Sequence, residues 1–245
     1  VVPSIQVVDE VNCNNGQDGA LTASATGGDG VYTYSWNAGT PGSNPQINSL
    51  SPGTYALLVS DSKGCTGTAS ETLANPEKIT IELAAQDPSC FGSTNGSVTG
   101  AFNGGTGAFS YSWSGGLPAT ANAANLGAGN YCVTATDANG CQETACADLT
   151  APAELKVVSF DVTPVDCFGN ETGTAQVNAT GGTGTLSYLW SDPLQQINQE
   201  ASFLGAGAYT VQVTDANGCQ VIESIEVTEP GELTVAASGT DVLCN

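Results

Sequence analysis

The chain contains no histidine, no arginine and no methionine, and only three lysines stand against 24 aspartates and glutamates, for a net charge of −21. A phosphate backbone is held by Lys and Arg through counterion release, so a chain this poor in cations and this anionic is no nucleic-acid binder. Anionic lipid is disfavoured for the same reason. No stretch approaches the roughly 18 apolar residues of a membrane span, and none reads as a signal peptide, so export and anchoring signals are expected outside this segment. The missing methionine agrees with an internal or processed piece of a longer chain. Zinc is disfavoured too, because there is no His and no close Cys-x-x-Cys pair to assemble a tetrahedral site.

What is present is a strict repetition. Cys13, Cys90, Cys167 and Cys244 recur at a constant step of 77 residues, and the same step carries Trp36 to Trp113 to Trp190 and Gly27-Gly28 to Gly104-Gly105 to Gly181-Gly182. The expected domains are repeat 1 at 1–77, repeat 2 at 78–154, repeat 3 at 155–231, and the first strand of a truncated fourth at 232–245. Almost no linker separates them. Asn75 to Ile79, Ala151 to Leu155 and Glu229 to Leu233 pass from strand to strand through a proline, which stiffens each joint and supplies no ladder donor.

Inside one repeat the period is two. Leu21, Ala23 and Ala25, with their copies Val98, Gly100 and Phe102 and then Ala175, Val177 and Ala179, mark a strand with one buried face. Gly-Gly-x-Gly follows and supplies positive backbone angles for a reversal. It is no phosphate loop, since a strand comes next and no Lys meets a phosphate. The next strand sets Tyr32, Tyr34 and Trp36 on one face, and Trp36, Trp113 and Trp190 read as plugs between two sheets rather than a carbohydrate platform. A variable polar loop leads to Leu-x-x-Gly-x-Tyr, whose Tyr55, Tyr131 and Tyr209 resemble the tyrosine corner of Greek-key sandwiches. The last strand turn is Asp-x-x-Gly-Cys, a three-residue hairpin with Gly in the left-handed position. The fold expected is all-β: tandem immunoglobulin-like Greek-key sandwiches of about 77 residues, arranged as a rod near ~100 Å long at ~3.3 Å per strand residue.

Nine cysteines in such small repeats point to an oxidising, extracellular compartment. Extending the Asp137–Cys141 hairpin register places Cys132 opposite Cys146 at a non-hydrogen-bonded site, which predicts a surface cross-strand disulfide. For the others two pairings fit. The first choice is within each repeat: Cys13 with Cys65, Cys90 with Cys141, Cys167 with Cys219, leaving Cys244 unpaired through truncation. In an immunoglobulin-like order those sites could fall at opposite ends of the sandwich, and adjacent repeats would then be stitched as Cys13 to Cys141 and Cys90 to Cys219. Spacing alone leaves both open.

Taken in order, Cys-x-x-x-x-x-Gly, Gly-Gly-x-Gly-x-aromatic-x-Tyr-x-Trp, Leu-x-x-Gly-x-Tyr and Asp-x-x-Gly-Cys resemble the SprB-type repeat, over essentially the whole chain. Repeat 1 departs from the pattern only in turns, with Asn14-Asn15 for Phe-Gly and Ser62-Lys63 for Ala-Asn. The resemblance implies a very large cell-surface adhesin of gliding Bacteroidetes, exported by the type IX system. The expected role is therefore a rigid spacer in an extracellular adhesin or filament, with neighbouring repeats of the same long chain as its partners. The alternative is a weak lectin whose copies bind extracellular polysaccharide through avidity. An enzyme is not expected: the acid–base candidates Asp29, Asp161 and Asp192 recur at no common position in the repeats. No cofactor is expected, and calcium at loop carboxylates such as Asp9, Glu10 and Asp18 is left open, without any Asp-x-Asp-x-Asp-Gly loop to hold it.

Overall fold

A computed structural model describes residues 1–38 and 44–239. Repeat 1 supplies β1 (Val2–Asp9), β2 (Gly19–Thr26), β3 (Tyr32–Trp36), β4 (Gln46–Leu50), β5 (Gly53–Asp61) and β6 (Thr66–Leu73). Repeat 2 supplies β7 (Thr80–Gln86), β8 (Gly96–Asn103), β9 (Ser110–Trp113), β10 (Asn122–Leu126), β11 (Gly129–Thr136) and β12 (Gln142–Leu149). Repeat 3 supplies β13 (Lys156–Thr163), β14 (Gly173–Thr180), β15 (Ser187–Trp190), β16 (Glu200–Leu204), β17 (Gly207–Thr214) and β18 (Gln220–Val227).

Each set of six makes two three-stranded sheets: β1-β2-β4 with β3-β5-β6, β7-β8-β10 with β9-β11-β12, and β13-β14-β16 with β15-β17-β18. Consecutive strands β2, β3, β4 and β5 alternate between the two sheets, so the chain crosses the sandwich three times before closing on a hairpin. This is the A-B-E and C-F-G order of an immunoglobulin-type Greek key without its fourth strand. The six-strand pattern keeps the step of the sequence repeat, whereas compaction follows other lines. Contacts gather into one body of Val1–Ala85, Val98–Ala123 and Asn130–Asp148 and another of Gln86–Ser97, Ala124–Gly129 and Leu149–Asn245, so repeat 2 is divided between them.

In the first body Leu21, Trp36, Leu57, Val59 and Leu73 pack together. In the second, Val177, Trp190, Leu204, Val211, Val213 and Val227 do the same. All but Leu204, which is offset from Ala201 by the left-handed Phe203, are period-two positions on their strands. Trp113 and Trp190 are buried, and each indole N–H reaches a carbonyl in the loop that follows it, Thr120 O at 2.8 Å and Asn198 O at 3.0 Å. Trp36 is buried as well, and among the described residues its Nε1 has no acceptor. The matching acceptor position in repeat 1 falls at residue 43 or 44, and residue 43 lies outside the described residues.

The Gly-Gly-x-Gly loop grips the joint between repeats. Gly105 N donates to Glu77 O at 3.1 Å and Gly182 N to Ala153 O at 2.9 Å. A Cβ at Gly104 would stand 2.1 Å from Lys78 O, and one at Gly181 would stand 1.8 Å from Glu154 O. Glycine is required there by the approach of the incoming chain as well as by φ values of +75° and +81°. The loop does bind an anion, the protein's own. Asp137 Oδ2 accepts from Thr106 N at 2.8 Å while its Oδ1 accepts from Asn139 N and Cys141 N, both at 2.9 Å. Asp215 repeats this with Thr183 N at 2.7 Å and with Asn217 N and Cys219 N at 2.9 Å. One carboxylate thus locks the last hairpin to the glycine loop. Burial pushes its pKa up, but the convergent amide donors outweigh that and hold both carboxyls below the ordinary value of 3.8.

Two details depart from local preference. Ser49, Asn125 and Phe203, each one residue before the leucine of Leu-x-x-Gly-x-Tyr, have φ of 57°, 59° and 58°. In repeats 1 and 3 they sit where two residues oppose one, between Leu21↔Ile47 and Gly19↔Leu50 and between Ala175↔Ala201 and Gly173↔Leu204, a β-bulge. Residues 232–239, expected to begin a fourth repeat, form no strand. β1 and β13 are held by ladders to the second strands of their own repeats, β2 and β14. Cys244 lies outside the described residues.

Two outcomes are expected. Because the folded Asp137 and Asp215 carboxyls titrate below their unfolded counterparts, their contribution is complete above pH 3.8 and is lost as pH falls through the lower folded value. Urea midpoints followed from neutral to about pH 2 should fall on the acid side, and Asp137→Asn with Asp215→Asn should flatten that limb while lowering the neutral plateau. Phe203 is 73% exposed and bulky at a left-handed position, so Phe203→Asn should raise thermal stability by roughly 1 kcal/mol.

Candidate functional site: sulfur staples between repeats

The site is built from two pieces of local geometry that recur in each repeat, a turn and a hairpin. The turn opens at the first cysteine of each repeat and closes as Gly16 N on Cys13 O (2.8 Å), Ser93 N on Cys90 O (3.1 Å) and Asn170 N on Cys167 O (3.1 Å). It lies at the exit end of its own repeat: Asn15 N donates to Asn75 Oδ1 at 2.9 Å, Thr150 N to Asp87 Oδ1 at 2.7 Å, and Gly169 N to Glu229 Oε2 at 2.7 Å. The hairpin closes as Asp61 N on Cys65 O, Asp137 N on Cys141 O and Asp215 N on Cys219 O, with Gly64, Gly140 and Gly218 at φ of 84°, 85° and 82°. It lies beside the glycine loop, at the entry end.

This separation decides the disulfides. Cys13 is bonded to Cys141, with 5.6 Å between Cα atoms, and Cys90 to Cys219, with 5.7 Å. The within-repeat pairing of Cys13 with Cys65, Cys90 with Cys141 and Cys167 with Cys219 is therefore incorrect, and Cys65 and Cys167 are exposed free thiols. The physical reason is parity. β4 runs antiparallel to β2 and β5 antiparallel to β3, so if β3 returns along β2, then β3 and β4 point the same way and the chain leaves β5 at the end opposite to where it entered β2. A disulfide spans only about 4.4–6.8 Å between Cα atoms and cannot cross a sandwich lengthwise. The entry end of one repeat can instead meet the exit end of the one before.

Both staples have a polar escort. Asn139 Nδ2 donates to Asn12 O at 3.1 Å, and Asn217 Nδ2 to Ser89 O at 2.9 Å. Each donor sits two residues before the hairpin cysteine, and each acceptor immediately before the turn cysteine. Lys78 Nζ lies 3.3 Å from Glu143 Oε1 at the first staple, an exposed pair that contributes little. A third bond joins Cys132 to Cys146 within repeat 2, with 4.0 Å between Cα atoms. Its counterparts Ala56↔Ser70 and Thr210↔Ser224 are direct cross-strand partners.

The remaining expected positions are scattered. Tyr55 OH donates to Ser51 O at 2.6 Å and Tyr209 OH to Gly205 O at 3.1 Å, the tyrosine-corner bond, while Tyr131 is half-buried. Asp29 accepts from Ser62 Oγ and Val31 N in repeat 1. Asp161 accepts from Asn178 Nδ2 on β14, and Asp192 is buried in the loop after β15 under the amides of Leu194 and Gln196. These three occupy separate strands or loops and share no partner. Asp18 is taken up by Asn12. Among the described residues no group of three or more His, Cys, Asp or Glu side chains stands close enough to hold a metal ion, and no helix is long and apolar enough to cross a membrane. Sequence reasoning missed the carboxylate clamp of Asp137 and Asp215, whose hairpin bonds Asp61 repeats. Its signal was available, since these are acids that do recur at one position in every repeat.

The two staples close loops of 128 and 129 residues and the third only 14. On chain-entropy grounds Cys90→Ser should cost about 4–5 kcal/mol and Cys146→Ser about 3 kcal/mol, read from urea unfolding of the oxidised variants.

No curated protein matches the chain. Among solved structures it is similar to the N-terminal eight Ig domains of Down Syndrome Cell Adhesion Molecule, at 11% identity and a TM-score of 0.46, over 94% of this chain and 37% of that one. It is also similar to extracellular domains 3–5 of Drosophila OTK, at 14% identity and a TM-score of 0.34, over 93% and 97%. Domains 1–6 of the surface layer protein SbsC follow at 12% identity and a TM-score of 0.30, over 94% and 41%. The chain thus spans little more than a third of the first of these. The model of the SprB repeat matches residues 5–41, 83–118 and 159–195, one segment in each 77-residue copy, so each copy is similar to the SprB repeat over that segment.

Proposed function

We propose that the chain is a load-bearing spacer within a secreted cell-surface adhesin or extracellular filament. The observation that carries this reading is the overlap of the two staples, Cys13–Cys141 and Cys90–Cys219, which enclose Cys90 to Cys141 in common. Tension applied at the ends runs from Val1 to Cys13, across sulfur to Cys141, on to Cys146 and across to Cys132, back to Cys90, across to Cys219 and out to Asn245. That path is about 85 residues, or roughly 300 Å stretched, against about 850 Å for the open chain. The bridges take the segments between Cys13 and Cys90 and between Cys146 and Cys219 out of the load path and leave β8 to β10 of repeat 2 within it. Disulfides of this kind persist in oxidising surroundings, which supports an extracellular place.

Export by the type IX system and a part in gliding belong to this proposal on the SprB resemblance alone. The polysaccharide alternative loses its aromatic row, since Trp36, Trp113 and Trp190 are all inside. No catalysis is proposed.

Single-molecule pulling on the oxidised chain tethered at its ends should stop near ~300 Å, and reductant should release roughly 550 Å more. Equal extension with and without reductant would remove the basis of the spacer reading.

A further inference from the structure

Asparagine followed by glycine is prone to close on itself, because glycine leaves its own amide nitrogen unshielded by a side chain. The chain holds five such pairs, at Asn15, Asn95, Asn103, Asn139 and Asn217, and the fold does not treat them alike. Four of the side chains are tied down. Asn15 Nδ2 donates to Asn14 Oδ1 at 3.0 Å, and its Oδ1 accepts from Asn75 Nδ2 at 3.2 Å. Asn95 Oδ1 accepts from Ser89 N at 3.0 Å, and its Nδ2 donates to Ser89 Oγ at 2.8 Å. Asn139 and Asn217 reach to Asn12 O and Ser89 O beside the staples. In three of these pairs the next nitrogen is held as well, Gly16 N on Cys13 O at 2.8 Å, with Gly140 N on Asp137 O and Gly218 N on Asp215 O at 3.1 Å.

Asn103 is the exception. It ends β8 and is exposed, and among the described residues neither its side chain nor Gly104 N has a hydrogen-bond partner. It also stands at the mouth of the glycine loop. Gly104 lies so close to Lys78 O that no Cβ fits, Gly105 N donates to Glu77 O at 3.1 Å, and Thr106 N donates to Asp137 Oδ2 at 2.8 Å. The three residues after Asn103 therefore carry the joint and the carboxylate clamp, and each depends on the main chain before it having its ordinary length. The same place in the other repeats is Thr26 and Thr180, which have no amide to lose.

We propose that Asn103 is a modification site, at which the chain converts itself without an enzyme to isoaspartate and unseats the joint between repeats 1 and 2. Gly104 N attacks Asn103 Cγ, the Cγ–Nδ2 bond breaks, and Nδ2 leaves as ammonia with the proton of the Gly104 amide. Water then opens the cyclic imide. Attack at Cγ gives aspartate, whereas attack at the main-chain carbonyl gives isoaspartate, whose peptide runs through Cβ and Cγ and is longer by one carbon. Water is the only co-reactant, and no electrons change hands. At the four tied sites the side chain must first give up its bonds, and a glycine N–H already donated to a carbonyl releases its proton less readily. Isoaspartate at 103 pushes Gly104, Gly105 and Thr106 off their partners, so this joint loosens with age. The conversion does not depend on the load-bearing role.

The test ages the whole oxidised chain in mildly alkaline buffer and follows all five asparagines by peptide mapping, with isoaspartate detected by enzymatic methyl transfer. Asn103 should convert roughly tenfold faster than any of the other four, the factor that one or two hydrogen bonds supply, and in the reduced chain in urea the five rates should converge. Asn103→Thr, which installs the residue of the other repeats, should remove the early isoaspartate while the Cys13–Cys141, Cys90–Cys219 and Cys132–Cys146 peptides stay intact. In aged chains hydrogen exchange at the Gly105 and Thr106 amides should quicken in step with isoaspartate. The proposal is overturned if Asn103 converts no faster than Asn139 or Asn217, if its lead persists in urea, or if the Gly105 and Thr106 amides stay protected in converted chains.

Discussion

Parity of the strand path governs this molecule. Between Cys13 and Cys65 the chain runs through β2, β3, β4 and β5, and with the fourth strand of the larger immunoglobulin sheet absent, two consecutive strands point the same way. The two cysteines of a repeat are thereby sent to opposite ends, out of reach of one another. Each bond from a turn cysteine to a hairpin cysteine must then cross from one repeat to the next. The same geometry sets the Gly-Gly-x-Gly loop beside the incoming joint, where Gly104 and Gly181 accept a backbone approach that leaves no room for a side chain.

How much of this was legible in the sequence depends on how local the cause is. Period-two runs such as Tyr55, Leu57 and Val59 are set by nearest neighbours and could be read directly. So could the hairpin register, because Asp-x-x-Gly-Cys admits one turn, and counting outward from it pairs residues at the places of Cys132 and Cys146. The long disulfides could not be read, since which end a strand leaves from is a global property that a missing strand inverts. The left-handed Ser49, Asn125 and Phe203 carried no glycine to announce them, as the bulge is imposed by pairing with the neighbouring strand. The aspartate clamp reads as a turn residue until the glycine loop folds over it from about thirty positions upstream.

Poverty in cations shapes the chemistry throughout. Asp18, Asp29, Asp137, Asp166, Asp192 and Asp215 all have lowered pKa values, and in each the lowering comes from amide or hydroxyl donors rather than from a lysine. Carboxylates here are satisfied at home, by backbone and by Asn, Gln, Ser and Thr. Such bonds are short-ranged and little weakened by salt, while the uncompensated surface charge keeps neighbouring chains apart.

The overlap of the two long staples has one more consequence. Cys13–Cys141 spans every peptide bond from residue 13 to 141, and Cys90–Cys219 spans every one from 90 to 219. A protease that nicks the backbone once anywhere between those outer cysteines severs nothing, because a sulfur bridge still arches over the cut. Exposed loops are where proteases strike, and a single clip in any loop between Cys13 and Cys219 leaves both fragments joined through sulfur, so neither drifts away.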